Sequence, residues 1–453
     1  MQSTRTGRAT PGPRSEERRA PRMVLALLTA LTAMLLTLLA APAAAAHTEQ
    51  PATDPADARV LEKPPRTVTM SFTEPVGATA EDIEVAGPSG EPLPVDVQAL
   101  DSTVAVTPAA PLAAEGTHRV TWRVPSADGH PISGSFTFSI GAPATPPTGH
   151  GAPAAAHGAL VAHHAAQTLV YLGIFAAAGL VVFDLLLLAA PPGTAPGSRR
   201  RVRALAGLGA AAAAAGAVAS VPATVMWQSG ATLIALADPG LWRTAIGSDA
   251  AVAAAMTGVG TVVAVGALPR AAGDRAAPAG RLALGGVALA VASLVVVGHS
   301  RAVAPSWLVV TADAVHVATG VVWIGGILGL LAVLGQARDL PVHQATATLV
   351  RFSTVAAGTV LALTVAGVIL GWRILGDAEA LVTTGYGRLL LLKVLVVAGV
   401  VGVAAWNRWR LLPRVRARSD PAARDDLRSA LHTEGALLLF VLVLTGVLTS
   451  LSP

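Results

Sequence analysis

The pattern of apolar and polar positions divides the chain into three stretches. Between about residues 47 and 141, apolar and polar positions alternate. RTVTMSFT places Val68, Met70 and Phe72 on one face, HRVTWRV does the same with Val120, Trp122 and Val124, and SFTFSI with Phe136, Phe138 and Ile140. A period of two, broken by proline- and glycine-rich turns, predicts an all-β antiparallel sandwich of the Greek-key type with one buried face per strand. His118 is expected on its surface. Next comes GAPATPPTGHGAPAAAHGAL, whose composition predicts an extended linker over 142–159 carrying His150 and His157. The third pattern is a series of about eight apolar runs, near 160–189, 203–226, 249–268, 281–298, 307–334, 350–374, 387–406 and 429–451, each long enough to cross a bilayer. The expected fold class is therefore mixed: a β-sandwich followed by an all-α polytopic membrane bundle over 160–453.

Ahead of the β stretch, residues 1–22 carry several arginines, MVLALLTALTAMLLTLLA supplies an apolar core, and Ala44-Ala45-Ala46 fits a small-residue cleavage rule. This is the pattern of a signal peptide over 1–46, whose removal leaves His47 as the first residue of an exported β domain over 47–141.

Composition sharpens the membrane reading. With 53% hydrophobic and 13% charged residues, the chain has the balance of a polytopic membrane protein. Its net charge of +5 comes from arginines set between apolar runs. The loops 190–203, 269–281, 335–351 and 407–428 hold sixteen arginines, whereas the alternate loops hold Arg243 and Arg301, with Arg373 and Arg388 at helix ends. That bias puts the arginine-rich loops in the cytoplasm, and the β domain and C-terminus on the extracytoplasmic side of the cell membrane. The same placement argues against a nucleic-acid partner. With no cysteine and only six methionines, a disulfide framework and thiolate ligation are excluded, and a thioether site is poorly supported. No P-loop or other nucleotide motif is present.

Two sets of residues carry candidate chemistry. An N-terminal His47 offers a metal its amine and its ring. In SADGHPIS, Asp128 and His130 are separated by one glycine and leave the same face of an extended segment. Together they supply three nitrogens and one oxygen, a donor set suited to tetragonal Cu(II). The bland alternative is an ordinary Asp-Gly turn beside a solvated histidine. Because the amine, with a reference pKa of about 7.7–8.0, must lose its proton to bind, metal affinity should fall with pH.

The second set lies within the apolar runs, where ionisable groups are functional candidates by default. Asp313, His316 and Trp323 share one face of ADAVHVATGVVWIGGILGLL, and Gly325-Gly326 allow a neighbouring helix to approach closely. With His163, His164 and His299 they form either a metal access ladder below the β domain or a set of interfacial histidines and a packing cluster. Lys393 repels a cation and reads as a structural partner for Asp313 or a cap for helix carbonyls. Glu434, beside His432, and Asp184 read as exit-side carboxylates or as partners for the arginine-rich loops.

EGTHRVTWRVPSADGHPISGSFTFSIG together with VTMSFTEPV resembles the CopC family of periplasmic copper-binding proteins. The resemblance implies that His47, Asp128 and His130 bind Cu(II) as a histidine brace, with Glu74 as a weaker ligand. The methionine-rich Cu(I) loop of some members is absent. GHS, ADAVHVATGVVWIGGILGLL, RFSTVAAGTVLALTVAGV, YGRLLLLKVLVVAGVVGVAAWNRWRLLPR and LHTEGALLLFVLVLTGVL resemble the CopD family of inner-membrane copper proteins, with His299 and His316 carried over. The whole is similar to a CopC–CopD fusion, which implies extracytoplasmic Cu(II) capture and copper import in homeostasis or resistance, by a transporter and not an enzyme. The oxidation state of copper in the membrane is left open. Two rivals remain at this point. In one, His299 and His316 ligate haem in an electron-transfer or copper-reducing module. In the other, the chain is a copper sensor or buffer without flux.

Overall fold

The computed structural model describes residues 51–72, 75–112, 115–126, 129–142, 157–190, 195–268, 276–296, 303–334, 340–413, 421–449 and 451. Its N-terminal part is a sandwich of nine strands: β1 (Ala52–Asp54), β2 (Arg59–Leu61), β3 (Val68–Ser71), β4 (Ile83–Ala86), β5 (Pro92–Leu93), β6 (Val95–Leu100), β7 (Thr103–Pro108), β8 (Gly116–Pro125) and β9 (Pro131–Ile140). One sheet runs β1-β3-β7-β6 and the other β2-β9-β8-β4-β5. All pairings are antiparallel except β2 with β9. The alternation seen in the sequence sets which face is buried: Val68, Met70 and Phe72 from β3 and the residue after it meet Val120, Trp122, Val124, Phe136 and Phe138 from β8 and β9 in one apolar core. Gly134 faces Trp122 across the β8–β9 ladder, and a side chain there would meet the indole at 2.3 Å.

His118 is not a surface residue. It shares the parity of Val120 and Trp122, is 1% exposed, and stacks on Phe138 with ring centres 5.3 Å apart. Burial lowers its pKa, and a backbone hydrogen bond at Gly116 opposes this more weakly.

Among the described residues, eight helices of at least 18 residues follow the sandwich and carry the apolar runs: α1 (His157–Val182), α2 (Pro196–Ser229), α3 (Asp249–Gly266), α4 (Ala276–Ser293), α5 (Ser306–Leu334), α6 (Val342–Leu375), α7 (Gly385–Trp406) and α8 (Pro421–Leu448). α1 and α7 end in one π-turn each, over Phe183–Leu187 and Asn407–Leu411. His157 opens α1 and does not lie in the linker. Seven of the eight are long and apolar enough to cross a membrane, one fewer than the eight runs suggested. The eighth, among the described residues, is the shorter apolar α4 segment Ala277–Ser293.

The bundle closes on small residues. Gly179 of α1 and Gly325 of α5 meet so tightly that a Cβ on Gly325 would lie 2.2 Å from the Gly179 backbone, and one on Gly326 would enter the Phe352 ring. This is the close approach that the paired glycines of α5 predict.

Candidate metal centre and the interdomain junction

The D-G-H segment is the loop of the β8–β9 hairpin. Ser126 N–H donates to the His130 carbonyl (2.8 Å), Gly129 N–H donates to the Ser126 carbonyl (2.8 Å), and Gly129 has φ +88°, a left-handed conformation that favours glycine. Gly129 thus has a turn conformation and not that of an extended strand. His47, Glu74 and Asp128 lie outside the described residues, as does His299. Of the proposed brace, His130 is the member that can be located.

His130 is 5% exposed, and what covers it is the helical bundle. Its ring meets Trp227, near the end of α2, edge-on with centres 5.2 Å apart. Trp227 also stacks on His163 of α1, with centres 4.3 Å apart and planes 14° from parallel. His163 in turn stands against His164 at 6.3 Å, its Nδ1 lies 3.2 Å from Thr224 Oγ1, and it is within electrostatic reach of both His164 and His130. One residue from the loop, one from α2 and two from α1 thus form a continuous row of rings from the sandwich into the bundle.

Helix-end chemistry holds this row in place. α2 stops at Gly230, which takes φ +74°, and its last carbonyls have no partner within the helix. Arg123, from the side of β8 that faces away from the sandwich core, fills the gap: Nε donates to the Gln228 carbonyl (2.9 Å) and Nη2 to the Trp227 carbonyl (2.7 Å). Gln228 Nε2 returns a hydrogen bond to the Gly129 carbonyl at 2.8 Å, tying the hairpin loop to the same helix end. A cation at a helix C-terminus is favoured by the helix dipole. Burial lowers the Arg123 pKa, but a guanidinium stays charged throughout the accessible pH range. Sequence reasoning missed Arg123, Trp227 and Gln228. A polar residue alternating with a strand core reads as solvent-facing, and a tryptophan at the end of an apolar run reads as an interfacial anchor. The available signal was the WQSG ending of the second run, a helix stop with an aromatic beside it.

The intramembrane candidates fall into separate groups. Lys393 and both tyrosines of the chain, Tyr171 and Tyr386, lie within electrostatic reach of Asp313. His316 lies within reach of Lys393, and its Nδ1 is 3.2 Å from the Leu363 carbonyl oxygen. Trp323 belongs elsewhere, to a cavity of about 170 Å³ between α5, α6, α7 and α8 that Phe352, Asn407, Arg408 and Glu434 also line. Glu434 accepts a hydrogen bond from Asn407, and Asp184 is salt-bridged by Arg199 and Arg203. Among the described residues, no three His, Asp or Glu side chains gather closely enough to hold an ion.

The profile of the CopC domain matches residues 51–141, and that of CopD, copper resistance protein D, matches 346–448. Copper resistance protein C of Xanthomonas campestris pv. juglandis is 34% identical over 116 residues, 24% of this chain and 90% of that protein. Copper transport protein CutJ of Bacillus subtilis is 26% identical over 428 residues, 90% of this chain and 74% of that protein. The chain belongs to the CopC–CopD copper resistance family. Inner membrane protein YebZ of Escherichia coli is 34% identical over 143 residues, 32% of this chain, and the match spans only 49% of YebZ. As a CopC–CopD fusion the protein handles copper at a membrane, and the family names describe metal binding and transport and not catalysis. His163, His164, Trp227, Asp313 and His316 all lie outside both matched stretches.

Proposed function

We propose that the protein captures Cu(II) on the extracytoplasmic side through its CopC-like domain and passes copper directly into the CopD-like bundle, which carries it inward across the membrane. In this reading the signal peptide over 1–46 is removed, and His47, Asp128 and His130 clasp the ion, with Glu74 in a weaker role. The segment between the sandwich and α1 tethers the domain to the bundle. Copper is cargo, and its route runs by way of His163 and His164 toward Asp313, His316 and His299, while Lys393 and Glu434 act structurally.

The observation that carries the proposal is the row His130–Trp227–His163. A domain that only buffered copper would gain nothing from burying a ligand histidine against the bundle, whereas a donor must face its acceptor. The name of CutJ, a copper transport protein aligned over nine-tenths of this chain, supports the same reading.

The test is radio-copper uptake into proteoliposomes holding the full-length mature protein, compared with His130→Ala. Uptake above protein-free vesicles that collapses in the variant is the expected result. Uptake no greater than in protein-free vesicles would discard transport in favour of buffering. Sequencing the mature N-terminus provides an independent check, since any first residue other than His47 would remove the brace.

A further inference from the structure

We infer that the cavity between α5, α6, α7 and α8 binds the ring of a membrane-soluble quinol, whose alkyl tail leaves between α6 and α7. The inference concerns none of the copper ligands proposed above and does not rest on the transport reading.

Size and access point to a ring drawn from the lipid. The cavity holds about 170 Å³, and one of about 150 Å³ accepts a benzene ring. Its walls are mostly apolar, Leu349, Phe352 and Leu427 among them, so water alone would fill it poorly. The way in is lateral. α6 packs on α5 and α7 on α8, but α6 and α7 barely meet each other. Ala357 of α6 and Trp409 of the π-turn after α7 belong to the cavity wall and are also exposed. Ala357 shares its helix face with the exposed Leu361, Val365 and Val368. In a bilayer that face meets lipid, so a ligand enters from the membrane and its tail can stay there.

Polar atoms set the chemistry. Trp323 is 2% exposed, and its Nε1 makes no hydrogen bond among the described residues. Asn407 opens the π-turn, a wide turn of a kind that recurs at functional sites. Its Nδ2 donates to Glu434, which fixes the carboxamide and leaves Oδ1 buried without a partner among the described residues. The wall residues thus bring one vacant donor and one vacant acceptor, and leaving such atoms unpaired is costly. An acyl chain would pair neither. A copper ion would meet a single carboxylate already engaged by Asn407. A quinol fills the space with its ring, accepts from the indole N–H at a hydroxyl oxygen and donates a hydroxyl proton to the carboxamide oxygen. The oxidised quinone accepts but has no proton to donate, so the site favours the reduced form.

The experiment is equilibrium dialysis of the full-length protein in detergent, without copper or oxygen, against radiolabelled decyl-benzoquinol and, separately, decyl-benzoquinone. Wild type should bind one equivalent of quinol saturably and the quinone about 5- to 10-fold more weakly, the loss of one hydrogen bond. Trp323→Phe keeps an aromatic ring, removes the donor and should weaken both forms by a similar factor. Ala357→Phe changes an exposed position, fills the mouth and should abolish binding, which keeps the test decisive where Trp323→Phe fails to fold. No saturable binding, equal affinity for quinol and quinone, unchanged binding in Ala357→Phe, or displacement of the probe by a saturated phosphatidylglycerol overturns the inference. Copper is absent throughout, so failure of this site and failure of the transport reading are told apart.

Discussion

The two ends of the bundle treat their polar groups differently. At the end that meets the sandwich, three imidazoles, His130, His163 and His164, gather beside Trp227, with the buried Arg123 closing the helix end next to them. Toward the other end the buried groups are carboxylates that already have partners, Asp184 with Arg199 and Arg203, and Glu434 with Asn407. A neutral imidazole can be buried at modest cost and still bind a soft cation, whereas a buried carboxylate must first be neutralised. The first arrangement leaves donors for cargo, and the second spends them on holding helices together.

The sharpest way to break this contrast is to remove a group from each end. His130→Ala should weaken copper retention by about 100-fold, at a packing cost of about 1–3 kcal/mol from the lost contact with Trp227. Asp184→Asn should do the reverse: copper retention stays, and the protein loses about 3–5 kcal/mol, because two guanidinium groups are left facing an uncharged amide. If Asp184→Asn abolished copper retention at unchanged stability, the division between the two ends would be wrong.

The junction can be tested separately from the metal. Arg123→Met removes both hydrogen bonds to the end of α2, worth about 1.5–3 kcal/mol for bonds to a charged group, and should speed amide exchange at Trp227–Gly230. Unchanged exchange would mean that Arg123 does not hold the sandwich to the bundle. A packing control lies inside the sandwich. Gly134→Ala drives a methyl into Trp122 and should destabilise that domain by about 1–3 kcal/mol without touching the junction. A variant as stable as wild type would show that the indole can move aside.

The smallest expected effect is a pH dependence. His118 is buried neutral with a lowered pKa, so below about pH 6.5 the unfolded chain binds a proton that the folded sandwich resists. The stabilisation is fully present above that pH and declines as the pH falls toward the folded-state value. Thermal melts of wild type and His118→Phe should diverge in that direction, and parallel pH profiles would contradict it.

These contrasts also show what the sequence makes legible. Period two in β3, β8 and β9 identified every core residue named from it, because a sheet with one buried face leaves no other choice of register. The same rule should have buried His118, whose parity matches Val120; the polar residue type was given too much weight. Apolar runs located the helices, and Gly325-Gly326 announced the close contact with α1. The junction was not legible. Arg123 and Trp227 are 104 positions apart, and each satisfies a local rule, strand polar face or interfacial tryptophan, that conceals the contact between them. The D-G-H triplet was read as extended because Gly129 carries no mark of its left-handed conformation until the hairpin around it is closed.

The most direct test of the central claim, that copper leaves the sandwich through the ring row and enters the bundle, measures two quantities on one preparation. Full-length protein carrying His163→Ala/His164→Ala is reconstituted, and both Cu(II) retention and radio-copper uptake are followed. The account predicts wild-type retention with uptake at the level of protein-free vesicles. Uptake equal to wild type with both imidazoles gone would contradict it.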